Sequence, residues 1–313
     1  MEGMPQTKGC TSEYKRDWPR YNEALVSRGE ILMDLSWVRS WNEELAEMNR
    51  GKRGRPFAFP DSLVGFLQGL RAALGVPLRQ LEGLLSATSR FLPLKPPDYS
   101  TIWHRLRRTD IDLRKPPVGC KGDGWIVSVD STGVKISNRG EWLREKWHIH
   151  RGWVKVHVAV EVRSGAIVGI AVSDERAVDA QFLPQLVRQA QALLPGQVKR
   201  VLADGAYDTR ENFDFLRKEG IEAGIKIRLN ASRKMKGASM ARPVAVFERN
   251  KLGEEKWARK YGYNKRWRCE TTFSAVKRVF GEALTSRRTD MMMREAALKF
   301  VQYNAMLGGG SCG

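Results

Sequence analysis

The spacing of apolar residues divides the chain into a helical part and a part that combines strands and helices. Between residues 60 and 108 apolar side chains recur every three or four positions, which is the period of an amphipathic helix. From Trp125 onward the period falls to two, which is typical of a half-buried strand. Proline and glycine pairs over 116–124 separate the two patterns. The sequence therefore predicts a helical domain over 1–115 and an α/β domain over 120–307.

The helical part contains start and stop signals for three helices. The first begins after Pro60 and ends at Gly75, and the second begins after Pro77. Ser100 is predicted to cap the third, whose basic residues are Arg105, Arg107 and Arg108. Three short helices that end in a basic one match a helix-turn-helix module, in which the last helix enters a DNA major groove. A helical bundle with a charged outer face is the alternative.

The segments around these helices are polar. Residues 1–50 have a mixed composition, and we assign no element to them. The run over 50–56 is basic and rich in glycine, so it suits either a solvated tether or an arm that contacts phosphates. At the other end of the chain, the glycine-rich residues 308–313 are predicted to form a disordered tail.

In the second part, three strands, a helix, a strand, a helix and a further strand follow one another. The predicted strands cover 125–130, 153–162, 166–172, 198–204 and 221–227, with helices near 182–190 and 209–218. This order indicates an α/β domain with a mixed sheet. Residues 228–268 are strongly basic and lack apolar periodicity, whereas helices are predicted over 263–280 and 291–307.

Two aspartates are candidates for chemistry because each follows a predicted strand. They are Asp130 and Asp204. Neighbouring strands that end at one edge of a sheet bring such carboxylates together, and their repulsion is relieved by a shared proton or a divalent cation. Oxygen ligands select Mg²⁺ or Mn²⁺ over Zn²⁺. Taken singly, an aspartate at this position is more commonly a cap or a turn residue.

The predicted helix over 263–280 carries a polar stripe. Its members are Tyr263, Arg266, Glu270 and Lys277. Their offsets of 0, 3, 7 and 14 place them on one side of a helix that turns by about 100° per residue. The apolar residues Phe273, Val276 and Phe280 form an adjoining face, so the helix can rest on a core while it lines a charged cleft. An exposed ion pair between Arg266 and Glu270 is the alternative.

The net charge indicates the class of partner. The chain has 54 Lys and Arg against 35 Asp and Glu, which gives +19. Such an excess favours a polyanion, either nucleic acid or an anionic membrane surface. We expect no membrane association, because no apolar run approaches the roughly 20 residues that span a bilayer and no signal peptide is recognisable. Nucleic acid is therefore the expected partner, and the cytoplasm is the expected location.

The remaining titratable residues predict no further metal centre. The four cysteines, which lie outside metal-ligand spacing of one another, are Cys10, Cys120, Cys269 and Cys312. His148 and His150 would share one face of a strand, with His157 further along, but a zinc site lacks the other ligands it needs. The acidic residues interpreted as turn residues or ion-pair partners are Asp174, Glu175 and Asp208.

The polar stripe resembles a known signature. Tyr-x2-Arg-x3-Glu-x6-Lys is typical of bacterial and archaeal DDE transposases of insertion-sequence families four and five, and the chain has it from Tyr263 to Lys277 with the same spacing. Residues 129–132, Val-Asp-Ser-Thr, resemble the first acidic motif of that family. Residues 202–208, Leu-Ala-Asp-Gly-Ala-Tyr-Asp, resemble the second. The resemblance covers residues 100–305, and the N-terminal helices less specifically.

The resemblance implies a ribonuclease-H-like catalytic domain. Its metal ligands would be Asp130, Asp204 and Glu270, which would hold two Mg²⁺ ions, with Mn²⁺ as a substitute. One ion would activate the attacking water or 3′-hydroxyl, and the other would stabilise the leaving oxygen. Arg266 and Lys277 would contact transposon-end phosphates, and Tyr263 would help to position the end. The basic insertion over 228–262 would clamp DNA.

The function that follows from the resemblance is transposition of an insertion sequence. The protein would bind the terminal inverted repeats, cleave them in a Mg²⁺-dependent reaction and join them to target DNA, as a homodimer on the prokaryotic nucleoid. One alternative is a ribonuclease-H-like nuclease that hydrolyses DNA without strand transfer. Another is a non-catalytic DNA-binding regulator derived from a transposase, although a regulator has no need of three converging carboxylates.

Overall fold

The computed structural model describes residues 18–91, 95–109, 111, 113, 124–136, 152–228, 231 and 239–308. Several predicted features lie outside these residues: His148 and His150, the boundary over 116–123 and the tail after Gly308. None of the helices within the described ranges is long and apolar enough to cross a membrane.

The N-terminal part is all helical. Its helices are α1 (Trp18–Leu32), α2 (Ser36–Asn49), α3 (Asp61–Leu74), α4 (Leu78–Thr88) and α5 (Tyr99–Arg108). The last three confirm the three predicted helices. Asp98 rather than Ser100 caps α5, because its carboxylate accepts a 2.7 Å hydrogen bond from the backbone nitrogen of Thr101 in the first turn. The sequence pattern predicts no element for the residues that form α1 and α2. In α2 the buried Trp37 packs on Phe66 of α3.

The α/β part contains a five-stranded mixed sheet, as predicted. Its strands are β1 (Trp125–Lys135), β2 (Trp153–Glu161), β3 (Ile167–Asp174), β4 (Val198–Ala203) and β5 (Glu222–Ile225). The strand order is β3-β2-β1-β4-β5. Strand β2 is antiparallel to both β1 and β3, whereas β4 is parallel to both β1 and β5. This topology confirms the α/β class.

Helices cover both faces of the sheet. On one face α6 (Leu183–Leu193) and α7 (Arg210–Lys218) pack through Leu186 and Leu216 against Val127 and Val129 of β1. The other face meets the C-terminal helices, and its apolar cluster includes Val156, Val158, Phe273 and Phe300. The strands are buried on both sides for this reason.

The basic segment after β5 contains helices that the sequence pattern did not indicate. They are α8 (Ala241–Leu252) and α9 (Glu254–Tyr261). Each is anchored by a small number of buried residues, such as Val246 and Trp257, so the apolar period is weak. The predicted helix over 263–280 begins as a 3-10 turn, Tyr263–Arg266, and continues as α10 (Trp267–Phe280). The final helix is confirmed as α11 (Thr289–Gly308).

The N-terminal helices pack directly on α11. Arg71 of α3 donates hydrogen bonds to Ser286 at 2.8 Å and to Glu295 at 3.4 Å. Ala72 of α3 belongs to the same apolar cluster as Phe300 of α11. These contacts combine apolar packing with a buried ion pair, and they join the helical part to the sheet part.

Candidate active site

Asp130 lies at the point where β4 leaves its neighbour β1. The parallel pairing of the two strands reaches Val129 and Ala203. The expectation that β1 ends at Asp130 is wrong, because the antiparallel partner β2 remains paired as far as Lys135. Asp130 is thus paired with β2 on one side and lies just beyond the last pair with β4 on the other.

Asp204 stands beside Asp130 at the same level of the sheet. Each aspartate directly follows one member of the Val129–Ala203 pair. Asp204 caps the 3-10 turn Gly205–Tyr207, and its Oδ1 accepts a 2.8 Å hydrogen bond from the nitrogen of Ala206. Parallel strands end at a common edge, so the register alone brings the first two predicted carboxylates together.

Arg266 connects the first carboxylate to the third. Its Nη1 donates to Asp130 Oδ2 at 2.7 Å, and its Nη2 forms an ion pair with Glu270 Oε1. The other oxygen of Asp130 accepts a 2.8 Å hydrogen bond from the nitrogen of Ser131. The Asp130 side chain is 16% exposed and that of Glu270 58% exposed, so the arginine links a buried group to a solvent-facing one.

The three carboxylates do not form a ready-made ligand cluster. Within the described residues, no three His, Cys, Asp or Glu side chains are close enough together to hold a metal ion. Arg266 occupies the position between Asp130 and Glu270 instead. The Arg266–Glu270 ion pair that was considered as a surface feature is therefore present, but it also reaches into the acidic centre.

Electrostatic coupling nevertheless joins the three carboxylates. Burial raises the pKa of Asp130 above its usual range, whereas the Ser131 hydrogen bond and the charge of Arg266 oppose that shift. The negative charges of Asp204 and Glu270 raise the pKa of Asp130 further. Like charges that perturb one carboxyl in a partly open site are characteristic of functional centres.

Tyr263 belongs to the same centre. Burial raises the pKa of its hydroxyl to about 12, the charge of Arg266 opposes this shift, and the charges of Asp204 and Asp130 add to it. Its ring lies 5.2 Å from that of Trp257 and 6.0 Å from the guanidinium carbon of Arg266. The tyrosine hydroxyl is therefore a neutral polar group beside the carboxylates.

Lys277 lies two helical turns beyond Glu270 on α10. Both line an open concavity of about 490 Å³ together with Ser274 and Arg278. Glu270 and Ser274 are exposed, and Lys277 is half-buried. This surface extends the acidic centre along α10 into a cationic region.

The three predicted arginines of α5 have different environments. Arg105 is turned inward, where its Nη1 donates to the carbonyl of Phe59 at 2.8 Å and its side chain pairs with Asp61. Arg107 and Arg108 are exposed at the end of the helix. Arg105 thus stabilises the helical part, whereas Arg107 and Arg108 lie at the surface.

Arg228 is a cation near the centre that sequence reasoning did not single out. Its Nε donates to the carbonyl of Gly205 at 2.7 Å, so it braces the turn that follows Asp204. The backbone nitrogen of Arg228 donates to Asp208, which forms a buried ion pair with Arg242. Its position just after β5, the parallel neighbour of β4, was the signal in the sequence that could have found it.

Other predicted polar residues are structural. His157 is fully buried, lies 2.8 Å from the Ser173 hydroxyl and stacks on Phe182, and burial lowers its pKa to about 4. Asp174 accepts hydrogen bonds from the backbone of the following turn, and Glu175 accepts one from Gly152. Cys269 is a buried thiol behind the centre, where burial raises its pKa to about 12.

The chain matches two family models, both described as Transposase DDE domain. The first covers residues 121–305 and includes all three carboxylates, and the second covers residues 26–139. This result confirms the predicted relationship to DDE transposases. The finer assignment to insertion-sequence families four and five stays a prediction.

Several solved structures show a distant likeness. The catalytic core domain of BIV integrase is 14% identical, with 56% of this chain and 80% of that chain covered and a TM-score of 0.27. The piggyBac transposase synaptic complex with hairpin DNA is 10% identical, with 91% and 74% covered and a TM-score of 0.39. The Drosophila P element transposase strand transfer complex is 11% identical, with 86% and 70% covered and a TM-score of 0.31.

All three TM-scores lie below 0.5, so the assignment rests on the family models. One of those models matches more than half of the chain. This protein therefore belongs to the transposase DDE domain family, whose members are polynucleotidyl transferases.

Proposed function

We propose that this transposase binds the terminal inverted repeats of an insertion sequence, cleaves them and joins them to target DNA. The residues proposed for the chemistry are Asp130, Asp204 and Glu270. The observation that carries the proposal is the pairing of Val129 with Ala203, which Asp130 and Asp204 directly follow, together with the arginine that pairs with both Asp130 and Glu270. Two carboxylates fixed on a rigid sheet and a third on a helix support a metal-dependent centre.

The donor set fits Mg²⁺, with Mn²⁺ as a substitute. All three candidate ligands are carboxylates, and hard divalent cations prefer oxygen. The charges of Asp204 and Glu270 raise the pKa of Asp130, which is a repulsion that a divalent cation would relieve. When bound, two such ions supply Lewis-acid activation of the attacking oxygen and charge neutralisation at the leaving oxygen.

The cationic residues of the signature are proposed to hold the DNA end. A guanidinium can grip a phosphate with two parallel hydrogen bonds, which suits Arg266, and an ammonium acts as a point charge, which suits Lys277. If Arg266 turned to a DNA phosphate, its ion pairs with Asp130 and Glu270 would both be broken. The hydroxyl of Tyr263, which stays protonated near neutral pH, can donate a hydrogen bond beside the reacting phosphate.

The wider DNA surface is proposed to include α5 and the basic insertion. Exposed cations of the insertion include Lys256 and Arg259, and Lys265 just after it is exposed as well. Their charge is of the sign that phosphate binding requires, and such contacts position a duplex without reading its sequence. Pairing of two transposon ends calls for two active sites, so we propose a homodimer on DNA.

The test is a cleavage and joining assay with duplexes copied from the DNA that flanks this reading frame. With Mg²⁺ present, the wild type is expected to cut at the element boundary and to join the 3′-hydroxyl to a supercoiled target. Asp204→Asn is expected to slow cleavage about 10³-fold, because catalysis by a bound metal is worth several kcal/mol. Asp174→Asn, at the exposed end of β3, is the matched control and retains the wild-type rate.

Each of the other outcomes would favour a different function for this protein. Cleavage without joined products would favour the nuclease. Tight DNA binding without cleavage would favour the regulator. An unchanged rate in Asp204→Asn would remove the acidic centre from the mechanism.

A further inference from the structure

The basic end of α5 meets the loop before α11 around one tryptophan. The guanidinium carbons of Arg107 and Arg288 lie 5.5 and 5.6 Å from the ring centroid of Trp103. Both arginines also pair with Asp290, at 3.3 Å for Arg107 and 3.0 Å for Arg288. One ring and one carboxylate thus hold together two cations that are distant in the sequence.

The surface around Trp103 and Asp290 is strongly cationic. Besides Arg107 and Arg288, the neighbouring Arg108 and Arg287 are exposed. Two arginines therefore pair with Asp290, and the residue next to each of them in the chain adds a further exposed positive charge. Guanidinium groups stacked on an aromatic ring lose less freedom when they bind a phosphate, because their orientation is already restricted.

The loop that carries Arg287 and Arg288 is attached to the strand of the acidic centre. The nitrogen of Lys135 donates to Glu282 at 2.9 Å, and the nitrogen of Leu284 donates back to Lys135 at 2.8 Å. Lys135 is five residues beyond Asp130 on β1, which is about 16 Å at about 3.3 Å per residue. The loop is thus attached to the part of β1 that continues beyond Asp130, past the end of its pairing with β4.

This distance matches the dimensions of duplex DNA. A duplex rises about 3.4 Å per base pair, so 16 Å corresponds to about five base pairs. One helical turn covers about 34 Å. Arg287 and Arg288 follow Leu284 by three and four residues, so they lie at most about 14 Å beyond the contact with Lys135. A duplex whose end lies at Asp130 can therefore reach this loop within its first turn.

We infer that the four arginines form one phosphate-binding surface for the DNA duplex that enters the active site. The surface is Arg107, Arg108, Arg287 and Arg288, here named the arginine junction. This inference rests on the proposed DNA-binding function and adds residues from the loop before α11 to it. Because Asp290 and Trp103 hold α5 against that loop, the duplex contacts of α5 lie at a fixed distance from the carboxylates.

A purely structural junction is the competing explanation. Arg107 and Arg288 would then serve only to join α5 to α11. Arg108 and Arg287 separate the two explanations, because no hydrogen bond, ion pair or ring contact to another described residue involves either of them. A structural junction gives these two arginines no task, whereas a phosphate surface uses both.

The test compares Arg108→Gln/Arg287→Gln with a control pair of the same charge change. The control is Arg217→Gln/Lys218→Gln, at the exposed end of α7. This pair lies near the start of β5, which begins four residues after Lys218. Asp204 lies at the opposite end of the sheet, where β4 and β5 end. Binding of a fluorescein-labelled duplex of about 30 base pairs is measured by anisotropy between about 50 and 200 mM salt.

The arginine-junction variant is expected to show a shallower salt dependence, by about two in the logarithmic slope, since each lost phosphate contact removes about 0.9. Each single substitution is expected to remove about half of that change. The control variant retains the wild-type slope, and circular dichroism melts of all variants coincide with that of the wild type.

Two results would overturn the inference: an unchanged slope in the arginine-junction variant, or an equal loss in the control. Failure of the proposed function looks different, because the wild type itself would then not bind the duplex. A wild type that binds and cuts DNA while Arg108→Gln/Arg287→Gln behaves identically would remove the arginine junction alone.

Discussion

Two arginine–carboxylate groups of this protein have similar members and opposite environments. Arg71 and Glu295 join α3 to α11 with side chains 13% and 9% exposed. Glu295 also accepts hydrogen bonds from the backbone nitrogens of Thr285 and Ser286, both at 2.8 Å. Arg266, by contrast, is shared between two carboxylates, and that of Glu270 is 58% exposed. In the first group the Glu295 carboxylate is buried and accepts hydrogen bonds at both oxygens, whereas the second group is open on one side.

The two groups also shift the pKa of their carboxyls in opposite directions. Burial raises the pKa in both cases. For Glu295 the hydrogen bonds from Ser286 and Thr285 and the charge of Arg71 prevail, and the pKa falls below its ordinary value. For Asp130 the Ser131 hydrogen bond and the charge of Arg266 do not offset the effect of burial. The charges of Asp204 and Glu270 raise its pKa further.

This difference in burial and pKa distinguishes an ion pair that stabilises the fold from one whose side chains can exchange their partners. A fully bonded carboxylate gains nothing from a new cation. The ionised centre around Asp130 carries unfavourable interactions that a metal ion or a rearranged Arg266 can relieve.

The largest effect that tests this comparison is on stability. Glu295→Ala is expected to lower the free energy of unfolding by about 3 to 5 kcal/mol, because it leaves Arg71 buried without its partner. Glu270→Ala is the matched control and costs less than about 1 kcal/mol, as expected for an exposed ion pair. Urea unfolding followed by circular dichroism measures both. Equal losses would show that the two groups do not differ in this way.

A smaller effect concerns competition between Arg266 and a metal ion. In protein without DNA, Arg266→Ala is expected to tighten Mn²⁺ binding about tenfold, since two partly exposed ion pairs of up to about 1 kcal/mol each no longer compete. Electron paramagnetic resonance of free Mn²⁺ during a titration measures the affinity. Arg268→Ala, which removes the bond to the Arg163 carbonyl instead, is the control and leaves the affinity unchanged. Weaker Mn²⁺ binding in Arg266→Ala would mean that the arginine supports the metal site.

The sequence predicted the sheet well because burial and periodicity coincide there. Strands β2 and β3 are buried on both faces, and their apolar runs stand out. The apolar pattern did not predict helices α1, α2, α8 and α9, because each is held by few buried residues. Burial of one face is what gives the sequence of a helix its apolar period. The end of β1 was misplaced because Ser131, Thr132 and Gly133 resemble a turn, whereas pairing with β2 keeps them extended.

The sequence motifs of the site could be predicted, but the contacts between their side chains could not. The seven-residue spacing from Tyr263 to Glu270 is local, so a helix fixes it. The bond from Arg266 to Asp130 joins residues 136 positions apart, and tertiary packing alone decides it. Arg228 was overlooked because its contact with Gly205 depends on the neighbouring parallel strands.

The smallest expected effect is a pH-dependent change in stability that has opposite signs in the two groups. The pKa of Asp130 is raised on folding, so its contribution to stability is complete below its ordinary pKa of 3.8 and is lost as the pH rises through the folded value. The pKa of Glu295 is lowered, so its contribution is present above 4.5 and is lost as the pH falls through the folded value.

At pH 7 with a chelator present, Asp130→Asn is therefore expected to raise the melting temperature, because the amide avoids the cost of a buried charge. Glu295→Gln is expected to lower it, and both differences from the wild type shrink as the pH approaches 4. Differential scanning calorimetry over this range measures the two curves. A melting temperature that falls in Asp130→Asn at pH 7 would show that Arg266 already compensates the charge of Asp130, in which case the acidic centre has no imbalance for a metal ion to relieve.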